Sequence, residues 1–457
     1  MNITTYNPYD GTKLSDYTVI SDKELQIQLD KSHHAFLYWS QLSLEKRKHF
    51  INSLIRQLMD FQTQASELMA LEMGKPVKFG HLEIEKCISL CQYYLKQADD
   101  FLAPKHIKTE FHESYVTYQP IGVILSVMPW NFPFWQVFRS IVPNLILGNT
   151  IVLKHASNVT GCAQLIEKIF QHAGFPEGVF KHLLITSAQV ESAIAHPKVR
   201  GVTLTGSEDV GRKIASEAGR HLKKVVLELG GNDPLIILKD ADLEQAAKAI
   251  VQSRMRNSGQ VCVAAKRIIV DASIERQLLE YLLKEIAIFQ MGNPLDLNCN
   301  YGPMAREDLR VQLHQQIQTL IQEGAILVYG GEIPAIPGYF YPPTIIKNVP
   351  EDSLAFKEEL FGPVVCITSF NTEEEAMTLA NATAYGLGAS IFTNRLEIAE
   401  KMAGAIEAGL CFVNLPVTSD IRFPFGGVKN SGYGRELSIE GILEFSNIKT
   451  VIINELK

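Results

Sequence analysis

No stretch of this chain approaches the ~20 uninterrupted apolar residues that a membrane helix needs, so a membrane span is not expected. Cysteine is sparse and scattered: seven residues, at 87, 91, 162, 262, 299, 366 and 411, with no Cys-x-x-Cys pair. Neither a disulfide framework nor a zinc ribbon is indicated, no metal site is expected, and a reducing cytoplasm is the expected compartment. A basic excess is missing too. Lys and Arg number 43 against 50 Asp and Glu, a net charge of −7. Phosphate-backbone binding has no electrostatic drive, so nucleic acid is not an expected partner. The first twenty residues lack the basic and apolar regions of a secretory signal. Repeats and low-complexity tracts are also absent.

What is present is ordinary globular composition, 46% hydrophobic and 20% charged, over 457 residues. That length suggests two or three domains. Ser21-Asp22-Lys23-Glu24 reads as a capping box opening a helix. Ile51, Leu54, Ile55 and Leu58 form one helical face, and Gly74-Lys75-Pro76 ends the helix after it. β-rich runs then recur at 123–127, 151–153, 179–185, 202–204, 225–227 and 235–238, with helical stretches between several of them. The pattern resumes at 267–270, 364–368, 389–392 and 410–413. Apolar strands alternating with helices predict parallel sheets covered on both faces, in two α/β units joined near residue 230. Two stretches fall outside that pattern: Lys105–Tyr118, a polar hairpin, and Thr450–Asn454, an apolar strand with no helix after it. Their edges need covering, by the chain itself or by a second copy.

Several motifs can carry chemistry. Cys262 lies in Ser258-Gly259-Gln260-Val261-Cys262, after a Gly-containing turn, with no histidine nearby in sequence to activate it. Glu228 closes a Val-Val-Leu strand before Gly230-Gly231. Asn131, in Pro129-Trp130-Asn131-Phe132-Pro133, sits in a strand-to-helix turn, as an N-cap or as a fixed amide donor. Thr205-Gly206-Ser207 opens a strand–loop–helix unit that could seat a phosphate, though it is not Gly-x-Gly-x-x-Gly. Glu359-Leu360-Phe361-Gly362-Pro363 and Pro424-Phe425-Gly426-Gly427-Val428-Lys429 follow.

Taken in order and spacing, these six blocks closely resemble the aldehyde dehydrogenase superfamily over nearly the whole chain. The resemblance implies a Rossmann-like cofactor domain (1–101 and 120–227), an α/β catalytic domain (228–430) and a small β oligomerisation element (102–119 and 431–457). It implies Cys262 as nucleophile and Glu228 as general base. Asn131 and the Cys262 N–H would form the oxyanion hole. Trp130, Lys154, Thr205, Gly206, Ser207, Glu359 and Phe361 would line the cofactor cleft. A homodimer or homotetramer acting on a small aldehyde is implied as well.

Two arginines narrow the substrate. Arg139 and Arg256 occupy positions resembling the carboxylate-binding arginines of succinate semialdehyde dehydrogenases, and Ser419 resembles a third contact there. A guanidinium pair suits a carboxylate at the far end of a short chain. Oxidation of succinate semialdehyde with NAD(P)+ is therefore the expected reaction. The alternatives are another short semialdehyde such as glutarate semialdehyde, or a CoA-acylating reaction, against which Glu228 argues. Ser157 stands where relatives often carry a glutamate that contacts the adenosine ribose. Its small neutral side chain leaves room for the 2′-phosphate, so NADP is favoured over NAD.

Overall fold

Five apolar runs in the first half become neighbours in one sheet in the computed structural model, which describes residues 1–455. They are Val123–Met128, Thr150–His155, Phe180–His182, Val199–Thr205 and Lys224–Glu228, all parallel. The first two and Val199–Thr205 are buried almost throughout. Helices on both faces exclude water from both sets of side chains, and this explains the unbroken apolar runs. The N-terminal helices Asp22–Trp39, Leu44–Asp60, Gln62–Met73 and Val77–Leu102 pack against this unit. Ser21 caps the first of them, its hydroxyl accepting from the Glu24 N–H.

The chain leaves that sheet at Glu228 and enters a second at Pro234. Six strands of the second sheet run parallel: Pro234–Ile237, Arg267–Asp271, Thr344–Lys347, Val364–Phe370, Gly388–Phe392 and Leu410–Val413. Ile326–Tyr329 adds an antiparallel edge.

The bridging element is smaller than the sequence suggests. Ser446–Ile453 pairs with Glu113–Pro120, which pairs with Lys105–His106, so the hairpin and the tail strand cover each other within one chain. Residues 431–445, expected in that element, belong instead to the first unit. Gly432–Tyr433 pairs antiparallel with Leu227–Glu228, and Leu437, Ile442 and Phe445 enter the first unit's core. Tyr94 donates to the Ser438 carbonyl at 3.0 Å. Apolar burial of the short Ser438–Leu443 helix sets the boundary there, not sequence proximity to the tail strand. Residues 456 and 457 of the expected element lie outside the described residues. No described helix is long and apolar enough to cross a membrane.

Candidate active site

The order of strands in the first sheet reverses between Val123–Met128 and Val199–Thr205. Ligands of open parallel sheets bind at such a reversal, beyond the carboxyl ends of the strands. The turns leaving those two ends are Pro129–Asn131 and Gly206–Ser207. They border a cavity of about 620 Å³ together with Trp130, Thr205, Gly230, Glu359 and Phe361. Its features suit a dinucleotide. Ser207 is the N-cap of the Glu208–Arg220 helix and makes no side-chain capping bond, so the first-turn N–H groups stay open to an anion. Trp130 and Phe361 meet edge to face at 5.9 Å, an aromatic wall. Glu359 is held by Lys266 at 2.9 Å and by the Gly231 N–H at 3.3 Å. Gly230 lets the Glu359 carboxylate approach the backbone closely, since a Cβ there would push Glu359 Oε2 aside.

Lys154 and Ser157 lie outside this cavity, around the carboxyl end of the adjacent Thr150–His155 strand. Burial holds the Lys154 ammonium below its ordinary pKa. Ser157 is exposed and starts a short 3₁₀ turn, Ser157–Val159, where its hydroxyl makes no capping bond among the described residues.

A second cavity, about 290 Å³, is bordered by Lys86, Trp135, Arg139, Arg256, Ser419 and Phe425. Cys262 borders both cavities, as does Gln136, and none of the other six cysteines borders either. The turn that delivers Cys262 is strained. Asn257 and Ser258 have φ of 52° and 53°, in the left-handed region, and Gly259 follows at 75°. A Cβ on Gly259 would collide with the Gly362 carbonyl, so only glycine fits. Gln260 locks the turn: its amide donates to the Asn257 carbonyl at 3.0 Å and accepts from the Ala305 N–H at 2.9 Å. Burial pushes the Cys262 thiol up to about 11, against the opposing pull of Lys266 and Arg139.

Asn131 is fixed from both sides. Its Nδ2 donates one hydrogen to the Gln260 carbonyl at 3.0 Å, leaving the second free. Its own carbonyl accepts from Lys75 Nζ at 3.0 Å and Asn257 Nδ2 at 2.9 Å. The Cys262 N–H donates to no protein acceptor among the described residues. Two N–H donors are therefore available, one on Asn131 and one on Cys262, at the cavity both residues border.

Glu228 borders neither cavity. Its carboxylate is buried with no hydrogen-bond partner, against Gly426. Burial drives its pKa well above the carboxylate range; Arg139 opposes this and Glu436 adds to it. Arg139 also departs from expectation. It is 1% exposed, ion-paired with Glu436, and lies 4.4 Å from the centroid of the Phe425 ring. Its charge is matched by the Glu436 carboxylate and also acts on Glu228, so it has a counter-ion within the protein while still bordering the second cavity. Arg256 stays solvent-facing at the second cavity, 5.5 Å from the Phe132 ring centroid. Five contributors escaped the sequence reading: Lys86, Lys266, Glu436, and Lys75 and Glu83, which form a buried pair. Only Lys75, in its Gly-Lys-Pro block, carried any local signal.

Residues 1–451 match the model of the aldehyde dehydrogenase family. The chain is 43% identical to the probable succinate-semialdehyde dehydrogenase (NADP+) of Synechocystis sp., over 99% of this chain and all of that one. It is 42% identical to the NAD(P)+ succinate semialdehyde dehydrogenase Sad of Escherichia coli, over 97% and 96%. The crystal structure of succinic semialdehyde dehydrogenase from Streptococcus pyogenes in complex with NADP+ superposes with a TM-score of 0.96 at 39% identity, covering 99% of this chain and all of that one.

Proposed function

This chain belongs to the aldehyde dehydrogenase family, and on that premise we infer that it oxidises succinate semialdehyde to succinate with NADP+ or NAD+. One observation carries the mechanism: Cys262 stands where an aromatic and polar cavity meets a cavity with cations on its wall.

Cys262 would lose its proton to solvent water and attack the aldehyde carbon as the thiolate. The resulting oxyanion would take the free Nδ2–H of Asn131 and the Cys262 N–H, donors already oriented before reaction. Trp130, Thr205, Gly206, Ser207, Glu359 and Phe361 would hold the cofactor, with Lys154 and Ser157 at its adenosine ribose. When bound, that cofactor supplies the hydride acceptor. The thioester left on Cys262 needs water activated by a base, and Glu228 is the carboxylate assigned to it. Glu228 would turn from its buried pocket beside Gly426, or act through a water, and take the proton of the attacking water. Arg256 and Ser419 would meet the substrate's far carboxylate. The cofactor unit, catalytic unit and bridging sheet would then divide the labour as their positions suggest. Ile448, Ile452 and Ile453 remain exposed on the tail strand, which favours a homodimer or homotetramer; the mass in solution tells these apart. The scattered free cysteines accord with a cytoplasmic enzyme.

A panel of aldehydes tests the reading, followed by reduced-cofactor absorbance. Succinate semialdehyde should exceed butanal in kcat/KM by roughly tenfold or more, the value of a hydrogen bond to a charged group. Equal use of butanal would refute the assignment. Cofactor choice gives a second prediction. A carboxylate ~4 Å from the 2′-phosphate costs about 4 kcal/mol at an effective dielectric of ~20, before screening. Screening at the exposed Ser157 reduces this, so Ser157→Glu should lower kcat/KM for NADP+ by about tenfold while sparing NAD+. An unchanged ratio of the two cofactors in the mutant would remove Ser157 from the site.

A further inference from the structure

Lys86 was not part of any motif, yet it borders the Cys262 cavity with its charge unmatched. It lies in the Val77–Leu102 helix and is half-buried. Its ammonium donates to Ser419 Oγ and sits 4.1 Å from the centroid of the Trp135 ring. Among the described residues it forms no ion pair, because the nearby carboxylates are already engaged. Glu83 pairs with Lys75 and accepts from the N–H groups of Phe134 and Trp135, both at 2.9 Å. Asp420 pairs with Arg422 at 2.6 Å. Arg256, on the same cavity wall, also lacks an ion-pair partner among the described residues. Two unmatched cations and a hydroxyl thus share one apolar-walled cavity with the Cys262 sulfur. Arg256 keeps solvent contact, but the half-buried Lys86 ammonium is partly withdrawn from water without a counter-ion, a cost that an arriving anion relieves.

We propose that Lys86 is a specificity-determining residue which, with Arg256 and Ser419, receives the far-end carboxylate of an acidic aldehyde whose carbonyl reaches Cys262. This rests on the substrate assignment above and deepens it. Trp135 would fix the ammonium in place while the substrate's methylene chain lies along the apolar wall.

A lysine gives the preference a pH dependence that arginine would not. Burial, with repulsion from Arg256 and Arg139, pushes the Lys86 ammonium down to about 7. The other charged or titratable groups facing it are Glu83, Cys87 and Asp420. Burial raises the Cys87 thiol well above its ordinary value, and Arg422 holds Asp420 below its own. Above about 7 the amine of the free enzyme is neutral and offers the carboxylate no charge. Preference for an acidic aldehyde should therefore be greatest below that pH and fall as pH rises through it.

The test compares kcat/KM for succinate semialdehyde and for butanal, from pH 6 to 9. Taking their ratio cancels the ionisation of Cys262, which both aldehydes share. Lys86→Met should cut the ratio at pH 6.5 by about ten- to a hundredfold. Lys86→Arg should keep the ratio high and flatten its fall with pH, a rescue that a purely packing role would not produce. A wild-type enzyme without preference at pH 6.5 would overturn the substrate assignment and this inference together. A clear wild-type preference that survives Lys86→Met, or falls identically with pH in Lys86→Arg, would overturn the inference alone.

Discussion

Cys262→Ala is expected to reduce aldehyde oxidation to background, a loss of roughly 10⁴-fold or more by the standard of nucleophile deletions. The substitution removes one sulfur from a turn held by other groups. Gly259, Gln260 and the Ala305 N–H stay in place, so folding and cofactor affinity should be retained. Burial raises the thiol's pKa to about 11, so the free enzyme holds it mostly protonated near neutral pH and deprotonation is part of the barrier. The Ala enzyme has no group to ionise in its stead. Turnover by reduced-cofactor absorbance, thermal unfolding and a cofactor titration separate the outcomes. Substantial turnover in the folded mutant would remove Cys262 from the role of nucleophile. Alanine at buried Cys87, Cys91, Cys162, Cys299 or Cys366 should affect stability, not this chemistry.

Glu228→Gln should show the other half of the reaction. The side chains are nearly isosteric, and a neutral amide is cheaper than a carboxylate in a buried place without partners. The fold should tolerate it. Hydride transfer should still occur once, but release of the acyl group should slow by roughly 10²–10⁴-fold, the usual worth of a general base. A burst of reduced cofactor should precede a slow steady state, and mass spectrometry of the intact protein should find a succinyl adduct on Cys262. Wild-type turnover in this mutant would send the search for the base elsewhere.

Most strands of the two sheets were legible because burial on two faces writes them as short apolar runs, though Ile326–Tyr329 and Thr344–Lys347 were not read, and the turns after Met128, Thr205 and Glu228 were legible from their Gly, Pro and Asn residues. Motif order placed Trp130, Thr205, Gly206, Ser207, Glu359 and Phe361 together, and all six border one cavity; the first four lie at strand carboxyl ends, while Glu359 and Phe361 precede the Val364–Phe370 strand. Pairing across the chain was not legible. Nothing near Arg139 in sequence announces Glu436, and nothing near Lys86 announces Ser419, 333 residues away. Arginine looks the same in sequence whether its charge faces substrate or a buried carboxylate. The same blindness hid Gly432–Tyr433 as a strand, because two residues are too few to show a period.

That late strand also has a consequence for how the protein is made. Lys224–Glu228 waits for Gly432–Tyr433 as its outer neighbour, and Arg139 waits for Glu436. A ribosome adding ~5–20 residues per second leaves roughly 10–40 s between synthesis of Glu228 and of its partner strand. During that interval the edge of the first sheet is open to other nascent chains, and the future site holds an arginine without its counter-ion. Activity can therefore begin only after Glu436 has been translated. Premature termination products should be candidates for chaperone capture, not partial enzymes.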